Sequence, residues 1–116
     1  QTVQRAQTDK HEVVIGVWKD GRIGTFRGIK AGKADYGAFV YGTKGIARSG
    51  GYEGYGHLVD EIVKFFKTGK VPVSPEETLE IFAFMSAADV SKTQNGAKVE
   101  LAAVLEEARK QNEARN

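Results

Sequence analysis

The feature that most constrains the fold is a change of hydrophobic period at the glycine-rich stretch Ser49-Gly50-Gly51-Tyr52-Glu53-Gly54-Tyr55-Gly56. Before it, short β-branched apolar runs are broken by turn residues, which is the pattern of strands. After it, apolar residues recur every three or four positions, which is the pattern of helices. Strands gathered in one half and helices in the other argue for an α+β chain, not an alternating parallel sheet. The expected architecture is a mostly antiparallel open sheet with helices packed on one face.

In the first half, His11 to Trp18 and Arg22 to Lys30 flank the turn Lys19-Asp20-Gly21-Arg22. Asp-Gly tolerates positive φ at both central positions, as a two-residue type I′ turn requires. That loop sets Trp18 opposite Ile23, Val17 opposite Gly24 and Ile15 opposite Phe26. One face then carries Val13, Ile15, Val17 and Phe26, and the other carries Val14, Trp18, Ile23, Thr25 and Arg27. On this reading helices cover the first, more uniformly apolar face. The second is left for contact with another copy of the chain, because monomers tend to avoid exposing apolar patches. Asp35 to Tyr41 and Gly45 to Arg48 are expected to form a second strand pair around Gly42-Thr43-Lys44-Gly45.

In the second half, Leu58, Ile62, Phe65 and Phe66 share one helical stripe, with Asp60, Glu61, Lys64 and Lys67 behind it. Gly69 closes that helix. The next begins with Ser74 as N-cap, Pro75 at the first helical position and Glu77 completing a capping box. From Leu79 to Val90 it is apolar nearly all round, so burial on more than one side is expected. Asn95-Gly96 supplies its stop. Lys98 to Leu101 reads as a short last strand. Ala102 to Arg115 reads as a charged helix with Glu106 and Lys110 paired four residues apart.

A length of 116 residues fits one domain with a modest core. Residues 1–10 read as a polar, flexible start, and residues 11–116 as the folded α+β domain. The 17 Lys and Arg are interleaved with 15 Asp and Glu for a net charge of +2. That balance gives no nucleic-acid footprint, which needs basic residues gathered on one face. With no cysteine, the chain has neither disulfides nor thiolate chemistry. No apolar run approaches the roughly 20 residues that span a bilayer. A chain opening on Gln1 reads as a piece cut from a longer protein, cytoplasmic or exported.

Several residues invite chemical readings. The glycines at 50–56 precede a helix, as a phosphate cradle would, but match neither Gly-x-Gly-x-x-Gly nor a Gly-Lys-Ser/Thr ending, so turn geometry is the better reading. His57, with Glu53 and Glu61 four residues to either side, has the neighbours of a general base. It equally has those of a surface histidine in helical ion pairs. His11 opens a strand, and the two histidines lack metal-ligand spacing. Tyr36, Tyr41, Tyr52 and Tyr55 fit a cleft wall or a half-buried sheet edge. No Gly-x-Ser-x-Gly elbow occurs. Catalytic, cofactor-binding and metal roles are therefore assigned to no residue.

A family resemblance emerges from Phe66-Lys67-Thr68-Gly69-Lys70-Val71-Pro72-Val73-Ser74 with Glu76-Glu77-Thr78-Leu79-Glu80-Ile81. These residues resemble the C-terminal region of the glucose–fructose oxidoreductase and inositol dehydrogenase family, often written Gfo/Idh/MocA. Ala87-Ala88-Asp89-Val90-Ser91-Lys92 with Gly96, Val99 and Leu101 resembles its closing pattern. Trp18-Lys19-Asp20-Gly21-Arg22 and Tyr41-Gly42-Thr43-Lys44-Gly45 look like its strands and turns. The resemblance runs from about Val13 to Leu101 and rests on turns and caps rather than catalytic signatures. It implies a C-terminal domain that walls a substrate cleft and joins subunits in an NAD- or NADP-dependent sugar or polyol oxidoreductase. The cofactor would sit on an upstream Rossmann domain, and the open sheet face would serve a homo-oligomer. The family's Glu-Lys-Pro lysine motif, its Asp-x-x-x-His motif and the dinucleotide fingerprint have no counterparts here. The chain alone is thus expected to be inactive, without cofactor, nucleic-acid or membrane partners. The alternative is a stand-alone binding or oligomerisation module of the same fold.

Overall fold

The structure, a computed structural model, describes residues 1–115. In chain order the elements are β1 (Thr2–Gln7), β2 (His11–Val17), β3 (Ile23–Ile29), β4 (Phe39–Gly42), β5 (Gly45–Arg48), α1 (Gly56–Thr68), α2 (Pro75–Thr93), β6 (Val99–Glu100) and α3 (Leu101–Glu113). They divide into two compact units. One comprises Gln1–Gly32 with the stretch from Pro75 onward, and the other is Lys33–Ser74. The first is an α+β unit with an open antiparallel sheet in the order β3-β2-β1-β6. The expected fold class holds.

The opening residues, read as a flexible polar start, instead contain β1. This strand lies inside the sheet, paired with β2 from Thr2↔Val17 to Gln7↔Glu12 and with β6 at Thr2↔Glu100 and Val3↔Val99. Its one large apolar side chain, Val3, is fully buried. Opposite residues of an antiparallel pair share a face, so the register places Val3, Arg5, Glu12, Val14, Gly16, Gly24, Phe26 and Val99 on one side. The core forms there, from Val3, Val14, Ala83, Ala87, Ala88, Val99 and Leu101, with Phe84, Val90, Val104 and Leu105 packed against it.

Helix α2 carries small residues, Ala83, Ala87, Ala88 and Ser91, on its buried side. Spacings of three and four residues align them along one stripe, while Leu79, Ile81, Phe82 and Met85, expected to be buried on further sides of the helix, stay about half exposed. Ser91 is fully buried and joins three segments. Its Oγ accepts the backbone N–H of Arg5 at 2.9 Å and donates to the carbonyl of Ala97 at 2.6 Å. The helix ends where expected: Asn95 (φ 55°) and Gly96 (φ 82°) are left-handed, and the Gly96 N–H returns to the Ser91 carbonyl at 2.8 Å. α3 follows with the expected Glu106–Lys110 pair at 2.8 Å.

The turn between β2 and β3 differs from the two-residue loop read from Asp20-Gly21. Gly21 donates its N–H to the Trp18 carbonyl at 3.1 Å, and the Trp18 N–H reaches the Arg22 carbonyl at 2.9 Å. Gly21 has φ 88°, whereas Asp20 keeps a negative φ. A type I′ turn needs both positive, so the loop is one residue longer, a turn followed by a left-handed glycine. The Asp20 carboxylate fixes it by accepting from the Arg22 backbone N–H at 3.1 Å and from Arg22 Nε at 2.7 Å. One added residue shifts the pairing to Val17↔Ile23, Ile15↔Thr25 and Val14↔Phe26. A one-residue slip moves a strand's side chains to the opposite face. Phe26 thus shares the α2 side with Val14, where it walls a cleft with Phe84 and Met85 and stays 54% exposed. Ile23 and Thr25 share the far face with Val13, Ile15 and Val17, residues expected beneath the helices.

Trp18 also lies on the helix side, not the open face expected of it. Its indole rests over Gly16 and Gly24, where an added Cβ would come within 2.9 Å and 3.0 Å of the ring. Phe84 from α2 stacks on it with centroids 6.0 Å apart. Glycine at both positions leaves the depth the ring occupies.

The second unit holds the hairpin β4–β5, paired from Phe39↔Arg48 to Gly42↔Gly45, and helix α1. Asp35 to Ala38, expected to be strand, lies outside β4. α1 ends as read from the sequence, with Gly69 left-handed at φ 69° and its N–H on the Phe65 carbonyl at 2.8 Å.

Replacing Ser91 by Ala strands the Arg5 N–H and the Ala97 carbonyl in the core. The expected loss is about 2 kcal/mol of unfolding free energy, read by chemical denaturation. An unchanged midpoint contradicts this role for the hydroxyl.

Candidate functional site

Within the second unit, the residues read as candidate chemistry are brought together only in part. His57 Nε2 lies 3.3 Å from Glu53 Oε2, both well exposed. The other flanking carboxylate, Glu61, pairs with Lys64 at 2.5 Å instead. Both are solvent-exposed ion pairs on and just before α1, of the kind that contributes little to stability. Tyr36, Tyr52 and Tyr55 form a chain of ring contacts, 5.9 Å between successive centroids. Burial, with a hydrogen bond to Tyr55, pushes the Tyr52 hydroxyl above its ordinary pKa. Tyr41 stands apart on β4. Among the described residues, no three His, Asp or Glu side chains converge as a metal site would require.

In the first unit, a charged cluster that sequence reasoning missed sits at the margin of α2. Arg5 from β1 pairs with Glu12 from β2 and, at 2.7 Å, with Asp89 from α2. Lys30 reaches Glu12 at 3.3 Å. The Arg5 and Glu12 side chains are only 12% and 18% exposed, so these contacts are shielded. Burial alone pushes the Glu12 carboxyl upward. Hydrogen bonds and charges from Lys30 and Arg5 outweigh it and hold the carboxyl below its usual range. The cluster closes one end of a cleft of about 420 Å³, walled by Val14, Phe26, Phe84, Met85 and Ala88. Two cations and two carboxylates make it neutral, and it braces the sheet against α2.

A second cleft, also about 420 Å³, lies beyond the Trp18 ring, lined by Arg22, Glu77, Glu80, Ile81 and Met85. Glu80 accepts from the Gln1 side-chain amide at 2.6 Å and from Trp18 Nε1 at 3.1 Å. Those bonds, the Gln1 one foremost, hold its carboxyl below the ordinary glutamate value. Arg22 covers the indole at 5.6 Å. The polar groups here are engaged with one another, and the tryptophan is clamped between phenylalanine and guanidinium.

A further feature is the open face of the sheet, with α2 and the core on the other side. Val13, Ile15, Val17, Ile23, Thr25 and Ile29 form a continuous β-branched surface across β2 and β3. Ile15 and Val17 are 39% and 38% exposed, and Ile23 reaches 69%. Beside them on this face stand Thr2, Gln4 and Ala6 of β1, His11 of β2, Arg27 of β3 and Glu100 of β6. Scattered apolar exposure is normal, but a contiguous patch marks an interaction surface. No helix of the described residues is long and apolar enough to cross a membrane.

The chain matches no protein-family model, no curated protein and no solved structure.

Glu12 supplies a pH prediction. Its folded pKa lies below the unfolded one, so its contribution is full above the unfolded value and fades as pH falls through the folded value. Unfolding free energy should decline below about pH 4.5, the ordinary glutamate value, and Glu12→Gln should flatten that decline. Parallel acid titrations of stability for both proteins contradict the assignment.

Proposed function

We propose that this chain is a non-catalytic assembly module whose open sheet face pairs with the same face of a second copy. The observation that carries this reading is the β-branched surface of Val13, Ile15, Val17, Ile23, Thr25 and Ile29, half-exposed on a sheet whose other face holds the core. A second copy suits it because the face carries little charge. Its strand positions hold one fixed cation, Arg27, and one carboxylate, Glu100, which pairs with the Gln1 ammonium at 3.8 Å. Two identical faces meet under two-fold symmetry with little repulsion, and sheets stack about 10 Å apart.

The resemblance to the Gfo/Idh/MocA oxidoreductases extends the proposal to a parent protein. In it this module would stand beside a Rossmann domain carrying NAD or NADP, wall the side of a sugar or polyol cleft and join subunits. The module alone would catalyse nothing. A stand-alone oligomerisation module would use the same face, so assembly is common to both readings.

Sedimentation velocity across a concentration series tests the proposal. The wild type is expected to form a discrete dimer, and Ile15→Glu and Ile23→Glu to weaken it at least about tenfold, since each buries a carboxylate without a partner. Phe26→Glu, altering the helix side, should leave association unchanged. A wild type that remains monomeric, or one equally disrupted by Phe26→Glu, overturns the reading.

A further inference from the structure

Strand register places a titratable group on the proposed pairing face. His11 stands opposite Ile29 at the first position of β2 and shares its face with Val13, Ile15 and Val17. It is exposed, and its hydrogen bonding to the β1–β2 turn runs through the backbone, with its carbonyl accepting the Thr8 N–H at 2.8 Å. Its imidazole is thus available at this surface.

The charges around it decide what protonation would do. From β3 it faces Ile29 directly and the cationic Arg27 diagonally. On the β1 side stand Gln7 and Thr8, both uncharged, and the connecting turn carries Asp9 and Lys10, one of each sign. Glu12, next in sequence, lies on the opposite face, bound to Arg5 and Lys30. The one carboxylate among the face's strand positions, Glu100, belongs to β6, at the far edge of the sheet from β3. A positive charge on His11 therefore joins Arg27 and meets no local counter-charge.

We infer that His11 makes assembly through the open face pH-sensitive, pairing being favoured when its imidazole is neutral and weakened when it is protonated. This inference rests on the assembly reading above. With the imidazole neutral, the face carries Arg27 and the Glu100 carboxylate, which the Gln1 ammonium approaches to 3.8 Å. Protonation adds a further cation to each face, and two-fold pairing then brings two like-charged, partly desolvated surfaces together. Histidine is the side chain whose charge ordinarily changes between pH 5 and 8.

The test is sedimentation of the full chain at pH 8.0 and pH 5.5, for the wild type and His11→Gln. The wild-type dimer is expected to weaken about fivefold at the lower pH, the size of one like-charge contact across a half-wet interface. His11→Gln should hold its pH 8.0 affinity at both values. A wild-type dimer of unchanged or greater strength at pH 5.5 overturns the inference, as does an equal weakening in His11→Gln. In those cases the dimer itself persists at pH 8.0, so the assembly reading stands. A wild type monomeric at both values overturns the assembly reading and this inference with it.

Discussion

The close approach of α2 to β1 is the constraint on which the rest of the core-bearing unit depends. A helix presenting leucines there would stand off the sheet. Ala83, Ala87, Ala88 and Ser91 let its backbone descend until Ser91 Oγ bridges the Arg5 N–H and the Ala97 carbonyl. Those two bonds tie the first strand to the loop that ends the helix, so segments more than 80 residues apart share one buried hydroxyl. Val3, fully buried under the same helix, supplies the apolar part of the contact. A core of small and β-branched side chains is shallow, and close packing is how it retains cohesion.

From that approach follows the asymmetry of the sheet. The helix side near β1 is filled by α2 itself. Toward β3 it is filled by the Trp18 indole laid over Gly16 and Gly24 beneath Phe84. Charged groups that alternation directs to this side, Arg5 and Glu12, are neutralised there together with Lys30 and Asp89. What remains on the far side is nearly free of charge and rich in β-branched residues. The two faces thus differ in character: one closes the core, and the other leaves its β-branched side chains exposed.

Much of the fold was legible because its punctuation is local. Pro75 opening α2, Gly69 closing α1 and Asn95-Gly96 ending α2 act through their own φ angles, and the structure keeps all three. β1 was illegible for the opposite reason. Between Gln1 and Lys10 only Val3 is a large apolar residue, and its burial depends on a helix 80 residues away. The register was half legible: Asp20-Gly21 marks a turn, but whether the loop holds two residues or three turns on the φ of Asp20. That one torsion pairs Phe26 with Val14 instead of Ile15 and Ile23 with Val17 instead of Trp18, so Val13, Ile15 and Val17, expected beneath the helices, stand on the open face and Val14 lies in the core. The Arg5–Glu12–Asp89 cluster had one usable signal, the alternation of Arg5 with Val3, which becomes readable only once β1 is recognised.

Isotope-filtered methyl NMR on a mixture of labelled and unlabelled chains reports the central claim at atomic level. Intermolecular contacts are predicted among the methyls of Val13, Ile15, Val17, Ile23 and Ile29, with none at Val14 or Met85. Intermolecular contacts confined to Met85 and Phe26, or absent from a sample in which the chain is associated, would contradict a module that assembles through its open sheet face.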